Sequence, residues 1–143
     1  MVAVNKPLPR LGLGMAALGR PGYINLNRST VFDDNTTNSN DEKNTRTERS
    51  IDVMQNQANT VMSCLFEQAQ HKYDVTPWID CARSYGQSEI FVGEYLRNQN
   101  IQPDQVYVSS KWGYTYVADW KITLDDDKPH EVKDHSVEVR ICQ

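Results

Sequence analysis

Trp78 to Leu96 reads WIDCARSYGQSEIFVGEYL, and Val106 to Gly113 reads VYVSSKWG. In the first stretch Pro77 ends any helix arriving from the N-terminal side. The apolar run Trp78 to Cys81 is then predicted as a short buried strand, with Asp80 at its end. Ser88 is expected to cap a helix over Glu89 to Asn98, with Phe91, Val92, Tyr95 and Leu96 on its apolar side. Gly93 inside that helix costs about 1 kcal/mol against Ala. Its presence predicts close packing on a neighbouring backbone. Pro103 and Asp104 make a turn, and Val106 to Ser110 is a second strand that ends at Lys111.

Upstream, Ile51 to Tyr73 is the strongest helix. Met54, Ala58, Val61, Leu65 and Ala69 recur at steps of four and three and form one apolar face. Ser50 stands where an N-cap belongs. Pro9 to Gly19 reads PRLGLGMAALG, a short strand pattern opening into a Gly-rich loop. It is not a dinucleotide fingerprint: position 17 is Ala, and no acidic residue follows at the right distance after a second strand. Between these segments, residues 33–50 read DDNTTNSNDEKNTRTERS, without one aliphatic or aromatic side chain. Burial there cannot offset the entropy of ordering, so a disordered polar loop insertion is expected. Downstream, Trp112 to Asp127 is aromatic and then polar, without periodicity. His130 to Ser136 reads as the approach to another helix.

Helices alternating with strands predict an α/β fold with a parallel sheet covered by helices. Asp80, Tyr85 and Lys111 all follow or close strands. In such a layout they face one end of the sheet, where α/β proteins place their sites.

Composition narrows the class. The 143 residues suit one domain over 1–143, and 38% apolar with 24% charged residues fits a globular chain. No apolar run reaches the roughly 18 residues of a membrane span. The N-terminus lacks an apolar signal region. A net charge of -4 speaks against a nucleic-acid partner. Cys64, Cys81 and Cys142 form no CxxC pair, so reduced thiols in a cytoplasmic compartment are expected, with no metal site. His130 and His135 lack the further ligands a metal needs, and Asp125 to Asp127 reads as a solvated turn.

Taken singly, a Tyr after a strand is usually a core residue, and an Asp–Lys pair a structural ion pair. Together and in this order they carry more. The Trp78 to Leu96 run resembles the signature of the aldo-keto reductase family: a strand-end Asp, small residues, a Tyr, then Glu and Gly on a helix. Val106 to Gly113 resembles the strand that follows, with its Lys. RLGLGMAALGRPGYINL near the N-terminus and HEVKDHS near the C-terminus are similar to one bacterial-type branch. The resemblance runs from Pro9 to Ser136, broken by the polar segment.

The resemblance implies a (β/α)8 TIM barrel that reduces a small carbonyl substrate with NADPH. Asp80, Tyr85 and Lys111 would be catalytic. Tyr85 would be the general acid, Lys111 the charge that eases its proton loss, and Asp80 the group that fixes Lys111. Trp112 and Tyr114, with Tyr116 after them, would line the substrate pocket. The cofactor-binding residues are unknown. A barrel needs eight strands and about 250 residues, and the family's fourth catalytic residue, a His on the next strand, has no counterpart here. The chain is therefore expected to be the incomplete N-terminal part of a barrel, inactive alone. The alternative is a non-catalytic module pairing with a related full-length chain.

Overall fold

The computed structural model describes residues 9–23, 49–122, 124–125 and 127–136. The polar insertion expected at 33–50 lies outside the described residues except for Arg49 and Ser50. Cys142 lies outside them too.

Three short strands make a parallel sheet: β1 (Leu13–Gly14), β2 (Trp78–Asp80) and β3 (Tyr107–Ser109), in the order β1-β2-β3. Leu13 lies opposite Ile79 and Gly14 opposite Asp80. On the other side Trp78, Ile79 and Asp80 pair with Tyr107, Val108 and Ser109. Backbone bonds extend the ladder past the strand ends, from Met15 N–H to Asp80 O at 2.9 Å and from Cys81 N–H to Ser109 O at 2.7 Å. Alternation along β2 separates two faces. Ile79 is fully buried in the apolar core. Trp78 and Asp80 point the other way and are only half-buried.

Between β1 and β2 come α1 (Ala16–Gly19) and α2 (Ile51–Glu67). Ser50 caps α2 as expected, its hydroxyl accepting the Val53 N–H at 3.3 Å. The buried face is Met54, Ala58, Met62 and Phe66. Val61 is exposed and Leu65 half-buried, so the stripe predicted through them is rotated by one position. After Glu67 the helix widens into a π-helical turn, Gln68–Lys72, and the chain leaves it through Asp74 at φ 49.

From β2 the chain enters α3 (Ser88–Asn98). Phe91, Val92 and Tyr95 are buried, with Leu96 packed against the core. Tyr95 meets Phe66 of α2, ring centroids 5.7 Å apart, and donates its hydroxyl to Ser63 at 3.2 Å. Two expectations fail here. Ser88 does not cap the helix; it is the first helical residue, after Gln87, and its hydroxyl donates to Ala82 O at 3.2 Å. Gly93 packs on no backbone among the described residues; a Cβ there would meet none of them within 4 Å. The helix ends through Asn100 at φ 52, in the left-handed conformation that Asn tolerates, and Ile101 N–H returns to Leu96 O at 2.9 Å.

A second sheet was not foreseen. β4 (Tyr114–Tyr116) pairs antiparallel with β5 (Glu131–Lys133). Glu131–Lys133 is thus a strand, where the approach to another helix was expected. The run Glu131, Val132 and Lys133 is too short for periodicity to separate strand from helix, and its partner lies beyond an intervening loop. The Arg20 guanidinium, at the end of α1, ties this ribbon to the loop after β2: it pairs with Glu131 at 3.0 Å and donates to Ser84 O at 3.0 Å.

Candidate active site

Asp80, Tyr85 and Lys111 meet at the C-terminal end of the parallel strands. The register places Asp80 opposite Ser109. Lys111, two residues further on, reaches back across the strand end. Its ammonium forms an ion pair with Asp80 Oδ2 and donates to Cys81 O at 3.1 Å. It also stands 5.0 Å from the centre of the Tyr85 ring. Asp80 Oδ1 accepts from the Ser109 hydroxyl at 2.7 Å.

The electrostatics follow from these contacts. Burial alone would raise the Asp80 carboxyl. Hydrogen bonds from Lys111 and Ser109, together with the Lys111 charge, outweigh it and hold the group below the ordinary carboxylate value. Burial alone would lower Lys111. The hydrogen bond to Asp80, then the neighbouring Tyr85 side chain and the Asp80 charge, hold the ammonium above its ordinary value. A lysine so placed stays charged beneath the Tyr85 ring. Burial first, then Glu89 and Asp80, push the Cys81 thiol up to about 12, against the opposing charge of Lys111. Cys81 is therefore a small buried side chain, not a nucleophile.

Tyr85 sits on the loop between β2 and α3, which is tied from several sides. Tyr85 N–H donates to Ala82 O at 2.9 Å, and Gln87 N–H to Gly19 O at 2.8 Å. Arg20 Nη1 donates to Ser84 O at 3.0 Å. Gly86, directly after Tyr85, has φ +63, and a Cβ there would run into the backbone of Gly19. Only glycine makes this turn without strain.

Trp112 and Tyr114 follow Lys111 and are exposed. Each presents an edge-on contact to the His135 ring, with centroids 5.4 and 5.9 Å apart. Tyr116 is half-buried in β4. The other histidines lie elsewhere: His130 beside Gly22, and the exposed His71 in the π-helical turn.

Reading the sequence missed Trp78, Ser109 and Arg20. Ser109 matters only through its register with Asp80, which no linear spacing reveals. Arg20 acts through Ser84 and Glu131, far along the chain.

A carboxylate, an ammonium and a phenol thus gather at the C-terminal end of the parallel strands, where α/β sheets place ligand sites. Residues 54–140, more than half of the chain, match the family model described as Aldo/keto reductase family, and the chain belongs to that family. Comparisons with the curated proteins and with the solved structures found no match. Among the described residues no helix is long and apolar enough to cross a membrane.

Proposed function

We propose that this chain carries the proton-donating half of an NADPH-dependent carbonyl reductase site. The supporting observation is the Lys111 ammonium held between the Asp80 carboxylate and the Tyr85 ring. A phenol can donate a proton, and a fixed cation beside it offsets the charge that develops as the proton leaves. Tyr85 Oη donates that proton to the substrate carbonyl oxygen as hydride reaches the carbonyl carbon. Lys111 stabilises the phenolate, and Asp80 keeps Lys111 in place. Trp112 and Tyr114, next along the chain, form a wall of the substrate pocket.

The donor set fits a nicotinamide partner on chemical grounds. Phenol, ammonium and carboxylate hold and move a proton, but none of them supplies reducing electrons. NADPH, when bound, supplies the hydride. No residue of this chain is assigned to hold it.

The working enzyme is a (β/α)8 barrel of which this chain forms the first units. Val108 supports this: it shares the side of Ile79, yet is 49% exposed among the described residues. Tyr107 beside it is also exposed, and the outer edge of β3 has no strand partner among the described residues. That free edge equally favours a second reading, a non-catalytic module that pairs with a related chain.

The assay is NADPH consumption with a small aldehyde, run on the species purified at its native length and on these 143 residues alone. The reductase reading expects turnover by the native species and none by the 143 residues. Turnover by the shorter chain would contradict the incomplete-barrel part. No turnover by either, with a related chain co-purifying, would favour the pairing module.

A further inference from the structure

We infer that Trp78 and Ser109 are positioning residues: a one-way hydrogen-bond relay, Trp78 to Ser109 to Asp80, aims the carboxylate that holds Lys111. This rests on the reading of Asp80, Tyr85 and Lys111 as the proton-donating group. Trp78 Nε1 donates to Ser109 Oγ at 2.9 Å, and Ser109 Oγ donates to Asp80 Oδ1 at 2.7 Å. The direction is forced. An indole N–H only donates, so the serine oxygen receives it and its single proton is left for Asp80. The carboxylate is then held at both oxygens, Oδ1 by Ser109 and Oδ2 by Lys111.

The sheet builds this relay. Trp78 and Asp80 stand two residues apart on one strand and so share a face. Ser109 is opposite Asp80 on the next strand. The residue before β1 makes room for the indole: a Cβ on Gly12 would lie 2.7 Å from Trp78 Cδ2 and 2.9 Å from Cε3. Gly12 thus lets the ring lie against the backbone with its N–H directed at Ser109. The carboxyl torsion of an Asp is broad and weakly held on its own. Lys111 is long and half-exposed, with a large rotamer entropy to lose. A carboxylate fixed at one oxygen by the neighbouring strand gives Lys111 a stationary partner; a rotating one does not.

The test uses the whole chain and needs no turnover. The Trp78 indole N–H resonance is assigned in a 15N spectrum by its loss in Trp78→Phe, and the Lys111 titration is followed by 13C labelling of lysine. The groups around Lys111 and Cys81 are Asp80, Tyr85 and, from α3, Glu89, all retained in the Ser109 and Trp78 variants. The relay predicts that Asp80→Asn moves the indole resonance at neutral pH, and that this response is lost in Ser109→Ala and kept in Ser109→Thr. It also predicts that Ser109→Ala and Trp78→Phe each lower the Lys111 midpoint, and that the double variant does no more than Ser109→Ala. An indole resonance indifferent to Asp80→Asn, or additive effects on Lys111, would overturn it. If Ser109→Ala fails to fold, the Ser109→Thr response decides alone. Tyr85→Phe leaves the indole response intact, so failure of the acid role and failure of the relay are read separately.

Discussion

Asp80 and Lys111 hold each other, and the linkage between charge and folding fixes how that shows with pH. Asp80 is shifted down, so its contribution to stability is present above the ordinary Asp value and is lost as pH falls through the folded value. Lys111 is shifted up, so its contribution is present below the ordinary lysine value and is lost as pH rises through the raised one. The pair therefore stabilises the fold across the neutral range and fades at both extremes. Because Lys111 is half-exposed, the amount is small, about 0–1 kcal/mol. Asp80→Asn is expected to cost no more than that in urea unfolding near neutral pH, with the difference vanishing in strong acid. A second outcome concerns thiols. Cys64 is exposed, while Cys81 is buried with its thiol pushed up to about 12. Brief iodoacetamide treatment of the folded chain should label Cys64 and spare Cys81, as read by peptide mass spectrometry. The residue types of the candidate site were legible in the sequence, since Asp, Tyr and Lys close or follow strands. Trp78 and Ser109 were not, because their role exists only across a strand pair.

The helices were largely readable from their apolar spacing, and the failures are physical. In α2 the burial face runs through Met62 and Phe66 rather than Val61 and Leu65. Adjacent apolar residues, Val61 beside Met62 and Leu65 beside Phe66, fit either stripe, and tertiary packing chooses between them. Ser88 was expected to cap α3, but its hydroxyl is drawn into the β2–α3 loop by Ala82 O. Gly93 gives the clearest outcome at this scale. It is exposed in the middle of α3, with open space where a Cβ would stand. Gly93→Ala is expected to stabilise the chain by about 0.5–1 kcal/mol through helix propensity and a less flexible unfolded state. Thermal or urea unfolding checks it, and destabilisation would show that the surface there is needed for contact. The β4–β5 ribbon was invisible because its strands are three residues each and their pairing spans a loop.

Across the molecule, one core joins the sheet to α2 and α3, built on Met15, Met54, Met62, Ile79, Phe91 and Tyr95. Phe91 is fully buried in it, and its ring also meets Trp120 edge-on at 6.2 Å. Phe91→Ala is expected to cost about 3–5 kcal/mol. In a chain with so small a sheet, that loss should show in circular dichroism as unfolding. The parallel sheet was legible in the alternation of helix and strand, whereas the barrel proposed for it rests on resemblance alone. The central claim, however, concerns Tyr85. The most direct test is the rate of NADPH-dependent carbonyl reduction by the native-length protein carrying Tyr85→Phe, set against the unaltered protein, with NADPH binding measured alongside. Turnover reduced by about 10²–10⁴-fold with NADPH binding retained is the predicted result. A Phe variant that reduces carbonyls at the original rate would contradict the claim that Tyr85 delivers the proton.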